Sequence, residues 1–273
     1  MPTASIDVRE LLKAGAHFGH RAARWNPKME PYIHSQREGI YIIDLIKTVE
    51  HLERALDFVE KTASEGKQIL FVGTKRHLRE SVKTAAESAK MPYVIERWFG
   101  GTLTNFSTIG KRVKYLRETE EELESGKLAE TMSKREIGEV REDLVKLNTL
   151  FGGLKTMTEL PAALFVVDAI TDSIAIREAV RLSIPIVAIV DTNADPEPID
   201  YVVAANDDAI NSVSLIGNLV AEGIARGRAR IRKTPSKPAD KPAHHAYRQA
   251  GQTDGAAKTK QESKGDAPQT RTD

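Results

Sequence analysis

Residues 68–76 read QILFVGTKR. A strand that buries one face alternates apolar and polar side chains. The unbroken ILFV run, closed by a glycine, is what a parallel strand covered on both faces requires. Helical periodicity flanks it. Leu45, Val49, Leu52, Leu56 and Val59 share one face of a helix expected over Asp44–Glu65, ended by Gly66, and a second helix is expected over Arg76–Lys90. IYII (40–43) and YVI (93–95) read as short strands.

The alternation resumes after residue 160. ALFVVD (163–168), PIVAIVD (185–191) and YVVAAN (201–206) read as strands, with helices over Ser173–Leu182 and Asp207–Arg226. Strands alternating with helices predict an α/β fold, a Rossmann-like (flavodoxin-like) parallel sheet flanked by helices. At the N-terminus Ser5 can cap a helix over Ile6–Ala14 that Gly15 ends. Residues 15–40 show no clean period and are expected to form a long ordered loop.

The chain has 273 residues, 40% of them hydrophobic, enough for a substantial core, and no cysteine. Disulfides, zinc-thiolate sites and thiol catalysis are therefore excluded. No apolar run approaches the ~20 residues of a membrane helix, and the first residues lack the pattern of a signal peptide. The formal net charge of +1 conceals a split. Residues 226–273 hold 12 basic and 5 acidic side chains, against 28 and 34 in residues 1–225. Any case for nucleic acid must come from local patches, because the body is slightly acidic.

Between the two halves lies a different pattern. Ile109, Val113, Leu116 and Leu123 fall on heptad positions interrupted by Glu120, and Ile137, Val140, Leu144, Leu147, Phe151 and Leu154 continue a 3-4 spacing. Residues 111–150 hold 9 basic and 10 acidic side chains. Narrow apolar seams with charged flanks predict two helices paired as an antiparallel coiled-coil hairpin. Arms of ~18 residues would reach roughly 27 Å. Gly100-Gly101 and Gly152-Gly153 bracket this hairpin. Glycines beside a basic residue can cradle a phosphate, but no Walker or GxGxxG spacing is present. Hinge turns, where the chain leaves and rejoins the sheet, are the favoured reading.

The expected organisation follows. Residues 1–105 are the first part of the α/β domain, 106–154 the hairpin insertion, 155–228 the second part, and 229–273 a basic tail. That tail is rich in Lys, Pro, Ala and Gly and poor in aliphatics, a composition expected to be disordered.

Ligands of open α/β sheets bind at the carboxyl ends of the strands. Two strands end in Asp168 and Asp191, and Asp207 follows the last. Such carboxylates can hold magnesium for phosphoryl transfer or simply cap the next helix. His17 and His20, three apart, could join Asp191 or Asp207 around a structural zinc or magnesium, or act only as hydrogen-bonding groups.

Basic residues gather in three segments. Arg21, Arg24 and Lys28 are interleaved with Phe18, Trp25 and Tyr32. Lys75, Arg76 and Arg79 follow the ILFV strand. Lys111, Arg112 and Lys114 lie at the hairpin root, with Arg97 ahead of the first glycine pair. Structured RNA is held through phosphates, 2′-hydroxyls and stacking on exposed bases. Any one cluster is equally a solvated face; three together set RNA binding level with that reading.

LLKAGAHFGH (11–20), WNPKMEPYI (25–33), ILFVGTKR (69–76), RWFGGTLTNF (97–106), LPAALFVVD (160–168), AIVDTNADP (188–196) and NDDAI (206–210) occur in that order. Over about residues 5–227 the chain closely resembles the bacterial small-subunit ribosomal protein two family, whose eukaryotic member is the laminin-receptor-like ribosomal protein. The lysine-proline tail departs from the resemblance. The resemblance implies a non-enzymatic, cytoplasmic, structural protein, a monomer within the ribosome, with a Rossmann-like sheet and an inserted coiled-coil hairpin. It implies a seat between head and body on the solvent side of the small subunit. There it would contact small-subunit ribosomal RNA and neighbouring proteins, and help dock protein one, which recruits messenger RNA. No cofactor is required; a metal near the His and Asp positions is a weak implication. The alternative is a magnesium-dependent phosphohydrolase using Asp168 and Asp191, and a third reading is a scaffold making protein contacts only.

Overall fold

The computed structural model describes residues 6–128 and 132–231. Its main sheet has five parallel strands: β4 (Ile69–Val72), β5 (Tyr93–Val94), β6 (Ala163–Val166), β7 (Ile186–Val190) and β8 (Tyr201–Ala204). Their order is β5-β4-β6-β7-β8. The chain therefore starts in the interior, steps to one edge, then crosses back, the flavodoxin-like 2-1-3-4-5 order with its switch point between β4 and β6. All four residues of β4, all four of β6 and all five of β7 are buried.

Alternation sorts those side chains onto two faces. Ile69, Phe71, Phe165, Val187, Ile189 and Val203 join one core with helices α2 (Leu45–Ser64), α3 (Arg79–Ala89) and α7 (Ile210–Ile231). Phe71 and Phe165 meet edge to face there at 5.1 Å. Leu70, Val72, Leu164, Val166, Ala188 and Val190 face the other way, toward α4 (Phe106–Glu124), α5 (Lys134–Phe151) and α6 (Ser173–Arg181). Burying each large side chain of this kind contributes roughly 1.5–3 kcal/mol.

Helices α4 and α5 form the hairpin. Ser133 starts α5 with a capping box completed by Glu136. Ile109, Val113 and Leu116 of α4 and Leu144 and Phe151 of α5 belong to the same core as the sheet face beneath them. The seam thus grows out of the domain core. Its polar interruption, Glu120, crosses between the arms: it accepts from Asn148 Nδ2 at 3.0 Å and from Lys155 Nζ at 2.8 Å.

Residues 15–40, expected as a loop, instead build a second sheet. β1 (Phe18–Arg21) and β2 (Ile33–Arg37) both pair antiparallel with β3 (Ile40–Ile43). The IYII strand therefore lies in this small sheet and not in the parallel one. Arg37 and Ile40 are paired across a two-residue turn whose central residues, Glu38 and Gly39, have φ of 49° and 77°. Positive φ at both central positions is the hairpin turn that matches strand twist. The first helix, α1, runs Val8–Lys13 and is capped by Asp7, whose side chain accepts from Arg9 N; Ser5 lies outside the described residues. At the other end α7 continues through Ile231, past the expected start of the tail at 229; residues 232–273 lie outside the described residues.

Candidate nucleic-acid interface and acidic cluster

The carboxyl ends of the parallel strands bring distant residues together. Lys75, after β4, places Nζ 2.9 Å from Asp168, 2.9 Å from Asp207 and 2.8 Å from Asp208. Burial opposes the ammonium, but the Asp208, Asp207 and Asp168 carboxylates outweigh it and raise its pKa. Asp207 is pushed up to about 7 by burial and by the charges of Asp168 and Asp191. Asp172, also buried, is pushed up to about 6, although Thr74 N and Oγ1 both donate to it. The crevice at the β4/β6 switch point is therefore filled by the protein's own ion pairs.

Asp168 uses its oxygens on Ile170 N, Thr171 N, Thr171 Oγ1 and Lys75. It is not among the residues whose ligand atoms cluster around a possible metal position. Among the described residues, the group able to surround a metal is His20, Asp191 and Asp207, whose ligand atoms lie within 4.8 Å of one another. His20, not the expected His17, reaches this group. Residues three apart on an extended chain point to opposite sides, and the His17 ring packs on Phe18 instead, 4.0 Å between centroids. His20 Nδ1 is buried and lies 3.1 Å from Asp191 Oδ1, close enough to pair but without full hydrogen-bond geometry. Asp191 raises the His20 pKa against the cost of burial, helped by Asp207 and Asp208. Asp191 Oδ2 is buried without a partner.

The ten basic candidates divide by their partners. Lys75 is committed to the acidic cluster. Arg79 pairs with Glu96 and also donates to its carbonyl at 3.0 Å. Lys28 pairs with Asp195 and Glu197. These three are paired with the protein's own acids, remote in sequence for Lys75 and Lys28 and 17 residues on for Arg79, which corrects the expectation that all ten face a partner. Arg21, Arg24, Arg76, Arg97, Lys111, Arg112 and Lys114 are exposed. Among the described residues, only Lys114 of these seven is ion-paired, to Glu118 one helical turn away at 3.4 Å. Arg97 lies over the Phe99 ring at 5.8 Å. Arg21 and Arg24 rim a cavity of about 540 Å³ whose wall is His20, Asp191 and Asp208.

The first glycine pair proves to be an anion cradle whose anion is internal. The Glu178 carboxylate of α6 accepts from Trp98 Nε1 at 3.1 Å, Gly101 N at 2.7 Å, Leu103 N at 2.9 Å and Thr104 N at 3.0 Å. Burial would raise its pKa, but donors from Thr104, Trp98, Gly101 and Leu103 hold it below the usual range. Gly101 needs glycine because its φ is +90°. The second pair sits where α5 ends: Gly152 is the C-cap, still helical at φ −55° and ψ −38°, and leads into a short 3₁₀ turn. Gly153 is there for packing, since a Cβ would overlap the Tyr93 carbonyl oxygen and lie 2.6 Å from its ring. The sequence shows no sign of Glu178; only its distance from Gly101 in space reveals it.

Comparison with known proteins agrees with this architecture. The family described as Ribosomal protein S2 matches residues 11–227, which span both sheets, the hairpin and nearly all of the last helix. The chain belongs to the ribosomal protein S2 family, a structural and not an enzymatic family of the small ribosomal subunit.

Proposed function

We propose that the chain is held in the small subunit by direct contacts to small-subunit ribosomal RNA from two basic surfaces. One carries Arg21 and Arg24 beside the small sheet, with Arg76 at a strand end. The other carries Lys111, Arg112 and Lys114 at the hairpin root, with Arg97. The observation that supports this is the division of the basic residues. Those inside the fold are neutralised by the protein's own acids, while Arg21, Arg24, Arg76, Arg97, Lys111 and Arg112 stand exposed with no ion pair among the described residues. Such cations release counterions when they meet phosphates, so binding should weaken linearly in log affinity with log salt.

The remainder of the role is contact with neighbouring ribosomal proteins, including docking of protein one. A structural cation belongs to the same proposal. An imidazole nitrogen and two carboxylates, with Asp191 Oδ2 buried and unpartnered, fit a divalent ion such as zinc or magnesium. His20, Asp191 and Asp207 would hold it, and it would neutralise the acidic wall beside Arg21 and Arg24.

Sedimentation of the tagged protein from lysate tests the reading, at low and high salt, with and without ribonuclease. Co-migration with the small subunit that ribonuclease abolishes is the expected result. Association that survives ribonuclease would assign the seat to protein contacts. Charge reversal at Arg24 and Arg112 that leaves subunit binding and its salt dependence unchanged would remove these two surfaces from the account.

A further inference from the structure

Gly110 lies inside α4, where glycine costs about 1 kcal/mol relative to alanine. Among the described residues nothing repays that. Its φ is not positive, and a Cβ built there would meet no atom within 4 Å. Glycine in such a place lets another backbone come close to the helix.

What lies over it is a groove of about 540 Å³ along one face of α4, lined among others by Phe106, Gly110, Lys111, Lys114, Arg117 and Met157. The spacing 106, 110, 114, 117 keeps these α4 positions on one side of the helix. Glu118, Glu121 and Lys155 complete the rim, leaving an excess of two positive charges. Of the four cations, Lys155 is paired with Glu120 and Lys114 weakly with Glu118. Lys111 and Arg117 have no ion pair among the described residues. The groove also opens at the N-terminal turn of α4. Asn105 sits at the cap position, yet its side chain makes no bond to the helix backbone and instead accepts from the Thr108 hydroxyl. Val113 and Met157 give an apolar floor, both largely buried.

We infer that this groove seats an RNA sugar-phosphate strand that crosses α4 at Gly110. The inference rests on the RNA-binding reading above and makes it specific. Phosphates flank the crossing at Lys111, Lys114 and Arg117, and the ribose lies over the glycine on the Val113–Met157 floor. Charge complementarity selects a polyanion. The lack of a side chain at 110 selects a strand that presses on the helix over a solvated ion cloud. Gly138 in α5 has the same open surroundings but does not line the groove, and nothing in the structure explains it. It serves as the control.

The experiment is filter binding of the full chain to purified small-subunit ribosomal RNA across a salt series, with thermal unfolding of each variant. Gly110→Gln is expected to weaken binding by about tenfold and to lower the slope of log affinity against log salt by about 1. Gly110→Ala, a single methyl in open space, is expected to raise the unfolding midpoint and still weaken binding several-fold. A more stable protein that binds less tightly cannot be explained by a folding defect. Gly138→Gln is expected to bind like wild type. If Gly110→Gln matches wild type in affinity and slope while Arg24→Glu weakens both, the groove assignment is wrong and the RNA reading stands. If wild type itself has no affinity for the RNA, both fall. If Gly110→Gln keeps RNA affinity but loses ribonuclease-resistant association with ribosomal proteins, the occupant is a protein, and the assignment to RNA is overturned.

Discussion

Glu178 on α6 holds Gly101 on the far side of the hairpin root: Gly101 N donates to Glu178 Oε1 at 2.7 Å. The same carboxylate takes donors from Trp98, Leu103 and Thr104, so one buried charge fixes the whole turn from which α4 departs. The geometry resembles a phosphate loop with the phosphate replaced by a side chain.

Removing that charge should therefore loosen the turn. Glu178→Ala would strand several donors at once, each left unsatisfied at a cost of about 1–3 kcal/mol, and is expected to be strongly destabilising. Glu178→Gln should cost less, about 1–3 kcal/mol, because its amide presents a donor where backbone N–H groups already point. The folded-state pKa of Glu178 is depressed, so the stability it contributes is present above the ordinary carboxylate range and is lost as pH falls below about 4. Urea denaturation at pH 7 and pH 3.5 checks both points. Equal midpoints for wild type and Glu178→Ala at pH 7 would remove Glu178 from this role.

The glycines around the hairpin should respond individually. Gly153→Ala forces a methyl against the Tyr93 carbonyl and ring, backbone that cannot step aside, and is expected to cost ~1–3 kcal/mol or more. Gly101→Ala must hold an L-residue at φ +90° and should cost ~1–2 kcal/mol. Gly100→Ala meets no atom within 4 Å and should be near neutral. Thermal midpoints of the three variants give the ranking. A neutral Gly153→Ala would contradict the packing described here.

How much of this was readable in advance depends on where the partner of each residue lies. Runs such as ILFV at 69–72 report burial on both faces within one strand, so the parallel sheet was legible. The hairpin seam was legible for the same reason, since Ile109, Val113 and Leu116 repeat locally. The small sheet was not. β1 has no buried residue, only intermediate and exposed ones, and the turn places Glu38, not Asn or Gly, at positive φ. The REGI tetrapeptide, with glycine second in a two-residue turn, was the one available signal. The basic candidates were misread where their partners are remote. Lys75 neutralises Asp168 and Asp207, more than ninety and one hundred and thirty residues away, and no local pattern distinguishes that from a phosphate contact. Glu178 was missed as an anchor for the same reason, whereas the His17/His20 pair was legible locally but not which of the two reaches Asp191 and Asp207.

Lys75 should thus behave as a structural cation. Lys75→Ala would leave Asp168, Asp207 and Asp208 facing one another, with the two buried ones uncompensated. A loss on the order of 3–5 kcal/mol is expected, with little change in the salt slope of RNA binding by the protein that remains folded. Lys111→Ala should do the reverse, leaving stability within ~0.5 kcal/mol and lowering the slope by somewhat under 1. Denaturation and filter binding on the two variants separate the roles, and a swapped outcome would show that Lys75 faces RNA.

Asp172 gives the last test, on pH. Burial first, then the charge of nearby Asp168, lifts its pKa from 3.8 to about 6 in the folded protein. A raised carboxyl pKa means that the folded state binds a proton the unfolded state has released. Stability therefore falls as pH rises from about 4 to about 6, and the penalty persists above that. Two units correspond to roughly 2–3 kcal/mol. Asp172→Asn abolishes the penalty without losing the contacts. Its amide oxygen can accept from Thr74 N, and its Nδ2 can donate to Thr74 Oγ1, which reverses its hydroxyl role. The variant should be more stable than wild type at pH 7 and nearly equal to it at pH 4. Measured by chemical denaturation, a variant less stable at pH 7 would mean that the Asp172 charge is favourable where it sits, held by Lys75 and Thr74 more strongly than burial opposes it.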